Sequence, residues 1–595
     1  MNTLCNMLLV YPKVPKNTYW SFQYALRFTG KRGNIPPLGL LTVAALFPPD
    51  VHLKLIDLNV QPLSDQDLQW ADAVFISAMI VQKHSFQEVV KRCRHLGKLI
   101  VAGGPYPTVC HQEIHGVDHF VLGEVEECFE LFIDDLRAGR ADRIYEARQR
   151  PDIGSTVVPR FDLLDMRAYA SMAVQYSRGC PFRCEFCDIW QIYGNTSRLK
   201  SSTAILQELT TIHEMGWRGP IFIVDDNFIG NKRRVKHELL PALRDWQADN
   251  GYPFRFYTEA SINMATDREL LAGMRACGFD AVFVGIETPC LSALRETGKV
   301  QNLKTDMPQA VHTIQRFGIE VMAGFIMGFD NDPDDIAERQ IAFIQETGIP
   351  QAMVGLLIAL PGTQLYRRLQ NEDRLLAISD GNNTHCLTTN FKTRMPAYCL
   401  KESYKKVLST IYDPYLKKYF ARCNVLLDRL GCTAHQRRRI RWNEIKILLK
   451  SLGRQPFTLY GFQYLKFMAR HLFQKGGRFP EAVKLSIVGH HFHTMTRALI
   501  KGDQVVALME SRYREFNRRL QAYSSAAQDN YREGIQNVLT LWQQMAVTLK
   551  VIHKKVERVH IDFRGDIKKK YLEIAQKMEQ LLGRLTDELQ RTGIR

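Results

Sequence analysis

Three cysteines stand close together in the segment QYSRGCPFRCEFCDIW, residues 175–190, at Cys180, Cys184 and Cys187. A structural zinc site takes four ligands in a closed tetrahedron, and this segment has no fourth cysteine. An iron–sulfur cluster held by three thiolates keeps one iron open for another ligand. The spacing therefore favours an open iron–sulfur cluster, with a zinc knuckle and incidental buried thiols as the alternatives.

Acidic side chains stand at the ends of several predicted strands further along the chain. After a linker near residue 151, strands alternate with helices, and we predict strands at residues 172–177, 221–226, 254–260, 281–287, 321–328 and 352–360. Six strand–helix units indicate a (β/α)6 barrel, or most of one, whose chemistry lies at the carboxyl ends of the strands. The cysteine triplet follows the first strand. The polar residues expected at the same mouth are Asp225, Asp226, Asn227, Glu259, Glu287 and Asp330.

An earlier series of strands precedes the barrel, at residues 7–12, 52–58, 73–79, 98–104 and 119–124, with helices between them. This alternation predicts a doubly wound, Rossmann-like parallel sheet. Ligands of such sheets lie beyond the carboxyl ends of the strands, where paired glycines let a backbone approach a bulky ligand closely. The candidates at that edge are Pro12, Asn59, Ser77, Gly103, Gly104, Pro105, Gly123 and Glu124.

Helices replace the alternation from about residue 396. We therefore predict four regions: the doubly wound domain at 1–150, the barrel at 151–395, a basic helical domain at 396–510 and an amphipathic helical extension at 511–595. Residues 391–510 hold about 23 Lys and Arg against about 7 Asp and Glu, which is nearly all of the net charge of +17. Such a block requires an anionic partner or a solvated face. In the extension, a heptad-like spacing joins Ile567, Tyr571, Ile574, Met578, Leu581 and Leu585.

The remaining composition limits the cellular setting. The 13 cysteines are scattered, and the apolar run at the start is too short for a signal peptide. We therefore expect reduced thiols and a cytoplasmic protein. No apolar run approaches the length of a membrane-spanning helix. His490, His491 and His493 could suggest a metal, but their apolar neighbours favour packing or hydrogen bonding.

The cysteine triplet on a loop after a first barrel strand resembles the radical S-adenosylmethionine (SAM) superfamily. The resemblance implies that Cys180, Cys184 and Cys187 hold a [4Fe–4S] cluster whose open iron binds SAM, with Phe186 beside the adenine. Asp225 and Asp226 in FIVDDNFIG stand where the superfamily contacts the SAM amino group. Glu259 and Glu287 match the strand ends that meet the SAM carboxylate, ribose or adenine.

The doubly wound domain ahead of the barrel resembles that of the cobalamin-binding subclass of these enzymes. The loops LIDLN, ISAM, VAGGPYP and LGEVEE carry the match, which implies that Asn59, Ser77, Gly103, Gly104, Gly123 and Glu124 contact cobalamin. The Asp-x-His-x-x-Gly motif that supplies a histidine to cobalt is absent, since His52 is followed by no glycine at the required position. Cobalamin would therefore bind without a protein histidine, and a degenerate domain kept for packing is the alternative.

Residues 1 to about 500 most resemble hopanoid 2-methylases with an uncharacterised helical C-terminal domain, through ADAVFISAM, CEFCDIW, VDDNFIGN, FVGIETP and the VGHHFH region. The resemblance implies a cobalamin-dependent radical SAM C-methyltransferase acting on a lipid presented at the inner membrane surface, with ferredoxin or flavodoxin as electron donor. The alternatives are cyclisation or carbon–carbon coupling on a lipid without methyl transfer, RNA modification through the basic segment, and electron transfer alone. We expect no nucleic-acid partner, because no RNA-binding module and no second cysteine triplet is recognisable.

Overall fold

A parallel sheet of six strands fills the first 150 residues of the computed structural model, which describes residues 5–154, 156–431, 442–473, 478–527 and 531–592. Its strands are β1 (Asn6–Tyr11), β2 (His52–Asp57), β3 (Ala73–Ser77), β4 (Leu99–Gly103), β5 (His119–Leu122) and β6 (Ile144–Glu146). Its helices are α1 (Gln23–Thr29), α2 (Leu38–Ala45), α3 (Asp65–Trp70), α4 (Lys83–His95), α5 (Pro105–Cys110) and α6 (Phe129–Arg137). The strand order is β2-β1-β3-β4-β5-β6, with every neighbouring pair parallel. The doubly wound sheet predicted from the sequence is thus confirmed.

The five strands predicted in this sheet are present, and β6 is an additional edge strand. Met7, Leu8, Leu9 and Val10 of β1 are all fully buried, as expected for a parallel strand covered on both faces. The short β6 buries only Tyr145 and offers no period that a sequence could reveal. The chain changes direction across the sheet between β1 and β3, and in such sheets a ligand crevice opens at that point of the carboxyl edge.

A second parallel sheet forms the predicted barrel. Its strands, with a short antiparallel pair formed by the second and third, are β7 (Met172–Val174), β8 (Ser177–Arg178), β9 (Arg198–Leu199), β10 (Pro220–Ile223), β11 (Arg255–Glu259), β12 (Phe279–Glu287), β13 (Glu320–Met327) and β14 (Ala352–Leu356). Its helices are α7 (Ile189–Ile192), α8 (Ser202–Glu214), α9 (Lys232–Arg234), α10 (Leu240–Asp249), α11 (Arg268–Ala276), α12 (Leu291–Glu296), α13 (Val300–Leu303), α14 (Met307–Arg316), α15 (Ile336–Thr347) and α16 (Gln364–Asn371). The order β7-β10-β11-β12-β13-β14 follows the chain in one direction, as in a barrel wall.

Side chains on the barrel strands alternate between two environments. On β12, Val282 and Val284 are fully buried, whereas Phe283 and Gly285 between and beside them retain partial exposure. The same alternation occurs on β10 and β11. Because helices cover the outside of the wall, we assign the partly exposed set to the lumen.

The rest of the described chain is helical. The helices are α17 (Ala397–Ile411), α18 (Lys417–Arg429), α19 (Trp442–Leu452), α20 (Gly461–Phe473), α21 (Phe479–Ala527), α22 (Tyr531–Glu557) and α23 (Ile561–Thr592). The all-helical C-terminal region is confirmed. Of the basic helical domain predicted at 396–510, residues 432–441 and 474–477 lie outside the described residues. The boundary predicted between residues 510 and 511 falls inside the single helix α21.

The chain divides into two compact units, residues 1–492 and 493–595. In the second unit, Ile567, Ile574, Met578 and Leu585 are buried as the heptad pattern predicted, but Leu582 is buried in place of Leu581. Among the described residues, no helix combines the length and apolar character needed to cross a membrane.

Candidate functional site

The cysteine loop begins at a glycine that no other residue could replace without strain. Gly179 has a φ of +88°, and a Cβ there would lie 2.7 Å from the carbonyl oxygen of Thr196 and 2.9 Å from that of Gly194. The next residue, Cys180, donates its N–H to the same Gly194 carbonyl at 3.2 Å. The loop therefore turns tightly after β8 and brings its first thiol to the barrel mouth.

Contacts from outside the loop fix its middle. Arg368 of α16 binds Glu185 in a bidentate manner, with Nε to Oε1 at 2.6 Å and Nη2 to Oε2 at 3.1 Å. The N–H of Glu185 donates to the carbonyl of Thr297, and the indole of Trp190 donates to the carbonyl of Cys184 at 3.1 Å. These bonds hold the loop through its backbone and through Glu185, so they position the three thiols without using the sulfur atoms.

The three predicted thiols lie close enough to influence one another. Burial raises the pKa of Cys180, Cys184 and Cys187, and the Cys184 thiol raises the pKa of both others further. Iron would replace these protons, because a metal binds the thiolate form. In the described part of the chain, no three His, Cys, Asp or Glu side chains are placed to bind a single metal ion. An iron–sulfur cluster does not require such a group, because each thiolate binds a different iron.

Asp225 positions the start of the cysteine loop. Its carboxylate is 1% exposed and accepts hydrogen bonds from the N–H of Tyr176 at 2.7 Å and the hydroxyl of Ser177 at 2.6 Å. The resemblance placed Asp225 at the SAM amino group, and that contact stays a prediction; in this structure both carboxylate oxygens hold the chain ahead of Cys180.

Asp226 and Glu259 form the acidic part of the mouth. Burial and the neighbouring Asp225 raise the pKa of Asp226 to about 7, and burial together with Asp226 raises the pKa of Glu259 to about 8. Asp226 accepts one long bond, 3.4 Å, from the N–H of Gly179. Among the described residues the Glu259 carboxyl group has no hydrogen-bond or ion-pair partner. Such acids would ionise beside an incoming cation, for example the ammonium group of SAM.

Lys299 is a cation of this mouth that the sequence did not single out. Its Nζ lies 2.6 Å from Oε1 of Glu287 and 5.9 Å from the ring centre of Phe186. Burial by itself would lower the pKa of Lys299, but Glu287 and Cys184 raise it above the ordinary value. Lys299 stands in the turn between α12 and α13, a position that no strand or helix period marks.

Glu287 forms an ion pair with Lys299, and its predicted contact with SAM stays a prediction. The carboxylate of Glu287 is buried and occupied by Lys299, and its backbone adopts a φ of +62°. A Cβ on Gly285 would lie 2.3 Å from Oε1 of Glu287 and 2.7 Å from Nζ of Lys299. The absence of a side chain at Gly285 therefore makes room for the Glu287–Lys299 ion pair at the carboxyl end of β12.

Two amides beside Lys299 carry unused acceptors. Asn302 donates through Nδ2 to the carbonyls of Gly285 and Ile286, each at 3.0 Å, and Gln301 Nε2 lies 3.9 Å from Sγ of Cys184. Within the described residues, Oδ1 of Asn302 and Oε1 of Gln301 are buried without a partner. These oxygens are available to hydrogen-bond donors of a bound molecule.

Two other residues expected at the mouth have structural roles. Asp330 binds Arg374 at 2.6 Å and Arg368 at 3.0 Å, in the network that also holds Glu185. The side-chain oxygen of Asn227 accepts from the N–H of Ser261 at 3.1 Å. Both polar groups are therefore engaged within the fold.

The carboxyl edge of the first sheet is built from small residues. Gly104 has a φ of +86°, and a Cβ there would lie 2.5 Å from the hydroxyl oxygen of Ser77. A Cβ on Gly103 would lie 2.9 Å from the carbonyl of Val121, whereas one on Gly123, with a φ of +71°, would meet nothing within 4 Å. Gly103, Gly104 and Ser77 are brought together, as predicted: the two glycines allow close packing within this edge, whereas Gly123 has open space beside it.

Asn59 organises the loops at that edge. Its Nδ2 donates to Oδ1 of Asp57 at 2.7 Å, and its Oδ1 accepts from the N–H of Val14 at 2.9 Å. Asn59 therefore fixes the loop after β1 through internal bonds, and its predicted contact with cobalamin stays a prediction.

Glu124 joins the first sheet to the barrel. Its side chain is 4% exposed and binds Arg198 at 2.5 Å and Arg178 at 2.9 Å, and Arg178 also binds Glu126 at 2.6 Å. Both carboxylate oxygens of Glu124 are bound by barrel arginines, and its predicted contact with cobalamin stays a prediction. Arg178 directly precedes Gly179, so this pairing ties the edge of the first sheet to the cysteine loop.

His52 lies at the opposite end of the first sheet from that edge. It begins β2 and pairs with Asn6 at the amino end of β1. A histidine there cannot reach a ligand beyond the carboxyl ends of the strands.

The two sites suit the groups that the resemblance implies. Three buried thiols on one tight loop form the donor set of an open iron–sulfur cluster. The two acids, Lys299 and two free amide oxygens beside them complement the ammonium, carboxylate and hydroxyl groups of SAM. The glycine edge of the first sheet suits a large flat ligand.

Family models match three successive parts of the chain. Residues 31–133 match the B12 binding domain, residues 174–344 the radical SAM superfamily, and residues 363–504 a domain of unknown function, DUF4070. A B12-binding sheet followed by a radical SAM barrel defines a cobalamin-dependent radical SAM enzyme.

Curated relatives narrow the class. An uncharacterised methyltransferase of Synechocystis is 43% identical over 429 residues, covering 71% of this chain and 80% of the relative. The hopanoid C-2 methylase of Rhodopseudomonas palustris is 31% identical over 520 residues, covering 86% and 97%. The chain belongs to the cobalamin-binding radical SAM methyltransferases, which use a [4Fe–4S] cluster, SAM and cobalamin.

Two solved structures share the fold. The cobalamin-dependent radical enzyme OxsB, with aqua-cobalamin and SAM bound, has a TM-score of 0.55 at 14% identity and covers 84% of this chain and 80% of its own. The methyltransferase TsrM of Kitasatospora setae, with cobalamin and a [4Fe–4S] cluster bound, has a TM-score of 0.54 at 14% identity and covers 82% and 99%.

Proposed function

We propose that this enzyme methylates an unactivated carbon of a hopanoid-like lipid. The observation that carries the proposal is the character of the barrel lumen, whose middle is apolar and aromatic. Phe222 and Tyr257 stack at 4.7 Å with their planes 6° apart. One layer nearer the mouth, Phe283 and Met322 are register partners on β12 and β13. A lumen of this kind selects an apolar ring system over a charged substrate.

A segment from outside the barrel completes the lumen wall. Trp20, which precedes α1, places its ring 5.6 Å from that of Phe283 and remains 45% exposed. Gly285 and Gly324 are register partners on the mouth side of Phe283, and a Cβ on Gly324 would lie 3.2 Å from Cζ of Phe283, so the Phe283 ring occupies the space that this glycine leaves. Flat aromatic faces of this kind suit a rigid polycyclic hydrocarbon.

The layer order brings an apolar substrate close to the reactive groups. Glu259 of β11 is the register partner of Phe283, and Lys299 influences the pKa of both Glu259 and Cys184. When bound, the cluster with SAM supplies a radical able to remove hydrogen from an unactivated carbon, and cobalamin supplies the methyl group. The chain itself orients these groups through Asp226, Glu259 and Lys299 and surrounds the substrate with apolar walls.

Polar residues close the opposite end of the lumen. Glu320 at the start of β13 binds Lys484 of α21 at 2.8 Å and accepts from Nε2 of Gln351 at 2.9 Å. Glu320 is the register partner of Ala281, which pairs with Tyr257, so this acid shares the layer of the Phe222–Tyr257 stack. A substrate without charge would lie against the aromatic side chains, because the Glu320 carboxylate is already bound by Lys484 and Gln351.

Anaerobic reconstitution tests this proposal. The protein is supplied with iron, sulfide, cobalamin, methyl-labelled SAM and a low-potential reductant such as flavodoxin, then with a total lipid extract or, separately, with RNA. We expect label in a polycyclic lipid and none in RNA. The variant F283D should lose lipid labelling while SAM cleavage continues. An apolar ring bound there would have to remove water from the new carboxylate, which is unfavourable.

The outcomes separate the alternatives. Labelled RNA with unlabelled lipid would overturn the lipid substrate. A protein that converts lipid without taking up label would point to cyclisation or carbon–carbon coupling instead, and cobalt content would then identify whether cobalamin takes part.

A further inference from the structure

Helices α19 and α20, with the turn between them, carry an unusually apolar outer surface. Phe457, Phe473 and Phe462 are 85%, 83% and 77% exposed. We name this surface the docking face; its members are Trp442, Leu449, Phe457, Leu459, Phe462, Leu465, Leu472 and Phe473, all exposed. Eight large apolar side chains exposed on two successive helices and the turn between them indicate an interaction site.

The docking face cannot be a core face turned outward by chance, because the inner face of α20 is already filled. Tyr464, Phe467, Met468 and His471 point inward and are buried. Outer and inner residues therefore alternate around a helix that is apolar on both sides. A helix of this composition needs an apolar environment on its second side as well.

Buried hydrogen bonds fix which side of each helix faces out. The hydroxyl groups of Ser451 in α19 and Tyr464 in α20 lie 2.9 Å apart, and Gln455 Nε2 donates to Ser451 Oγ at 2.8 Å. Gln455 also donates to the hydroxyl of Ser486 at 3.3 Å. Rotating either helix to bury the docking face would break this network.

The charges around the docking face are almost all positive. Residues 442–473 contain three lysines and two arginines but one acid, Glu444. Lys446, Lys450 and Lys466 form no ion pair within the described residues, whereas Arg470 is paired with Asp428 at 2.8 Å. Protein interfaces are depleted in lysine, while lysines beside aromatic side chains are typical of helices that lie on anionic membranes.

We propose that the docking face lies on the surface of an anionic phospholipid bilayer. The aromatic and leucine side chains enter the boundary between headgroups and acyl chains, and the lysines contact the headgroup phosphates. With 11 and 13 residues, α19 and α20 are too short to span the bilayer's hydrocarbon core. They therefore lie on the membrane in the plane of its surface.

The docking face is connected to the barrel lumen. α19 packs against α1, and the guanidinium of Arg454 lies 5.9 Å from the ring centre of Phe28 in α1. The segment just before α1 carries Trp20, which contacts Phe283 in the lumen. The proposal of bilayer docking is supported by the docking face alone. Delivery of a lipid past Trp20 rests, in addition, on the proposed function.

Flotation of the full-length protein with vesicles tests the docking. We expect binding to vesicles of phosphatidylglycerol and phosphatidylethanolamine, and weaker binding to phosphatidylcholine or in high salt. F457S/F462S should weaken the partition at least about 30-fold, since two exposed phenylalanines lose their apolar burial. K446E/K466E should weaken it about fivefold or more per lysine, on anionic vesicles only.

Matched variants and a second measurement keep the outcome clear. Y398S/Y415S removes two aromatic residues that are equally exposed outside the docking face and should bind like the wild type. Failure of the wild type to bind anionic vesicles, or equal binding by F457S/F462S, would overturn the proposal. A wild-type dimer in sedimentation that F457S/F462S dissociates would overturn it too, in favour of a subunit interface.

Activity in detergent separates this proposal from the proposed function. With lipid dispersed in detergent, F457S/F462S should methylate as well as the wild type, because its barrel is unchanged. A wild type that binds vesicles but labels no lipid would contradict the proposed function and leave bilayer docking in place.

Discussion

The two parallel sheets of this enzyme share a strand count and differ completely in what stands at their carboxyl edges. The first edge is small and uncharged, with Gly103, Gly104 and Ser77 close together. The barrel edge carries three thiols, two acids of raised pKa and the Lys299–Glu287 pair. Parallel α/β architecture places ligands at the same end in both cases, so the chemistry of each ligand is set by loop side chains.

One enzyme can thus hold two chemically different cofactors at two sheet edges that lie close together. Backbone and glycine suit a large ligand held by shape, while thiols and charges suit a cluster and a nucleotide held by specific bonds. Glu124 crosses from one edge to the other through Arg178 and Arg198. Substitutions at one edge, or at this bridge formed by Glu124 and the two arginines, should leave the other edge intact.

The largest effect is expected from loss of a thiol at the barrel edge. C187A should remove the cluster and reduce SAM cleavage by more than about 1000-fold, because a set of residues that acts as one unit fails when one member is lost. Iron content, absorbance and deoxyadenosine release measure this. The exposed Cys399 is the matched control, and C399A should keep cluster and activity; an iron-replete C187A would contradict the assignment.

Breaking the bridge between the edges should cost stability. E124Q removes the buried negative charge that Arg178 and Arg198 share, which costs about 3 kcal/mol of unfolding free energy. D65N, which removes the exposed partner of Arg92, should change stability by less than about 1 kcal/mol. Urea denaturation of both variants measures the difference, and equal midpoints would show that the bridge contributes nothing.

A methyl group at the first edge should separate the two cofactors. G104A forces a Cβ against Ser77 in a backbone conformation that alanine avoids, and cobalamin affinity should fall about tenfold or more. SAM cleavage in the barrel should continue. Gly139 has a similar φ, +67°, and nothing within 4 Å of its would-be Cβ, so G139A carries the strain alone and should bind cobalamin normally.

The smallest effect concerns the acid of the barrel mouth. The folded-state pKa of Glu259, about 8, lies above its ordinary value of 4.5, so the fold favours the neutral acid. Wild-type protein without cofactors should therefore lose stability as pH rises from about 5 to 8, and E259Q should lose less. Melting temperatures at several pH values test this; parallel profiles would mean that Glu259 is solvated.

Much of the fold could be predicted from the sequence, since eleven of the twelve parallel strands are apolar runs bounded by polar turns. The exception, β6, buries one side chain. The cysteine spacing likewise marks the cluster loop. Lys299 left no such signal, because it acts through tertiary contact with Glu287 and Cys184 from an irregular turn.

Acidic residues were the least predictable part of the site. Asp225, Glu124 and Glu287 match family positions, yet each is engaged by groups of this chain, and the partner Arg198 lies 74 residues from Glu124. A sequence shows which acids stand at strand ends but not which of them already have a partner. Asp226 and Glu259 are distinguished only by the absence of strong partners around them in the described structure.

The most direct test of a lipid methyltransferase with both edges at work follows hydrogen and methyl in one reaction. A hopanoid-type lipid carrying deuterium is incubated anaerobically with the reconstituted enzyme and methyl-labelled SAM. We expect deuterium in the released deoxyadenosine and a labelled methyl group on the lipid that lost the deuterium. Deuterium-free deoxyadenosine, released while the lipid stays unlabelled, would contradict this expectation.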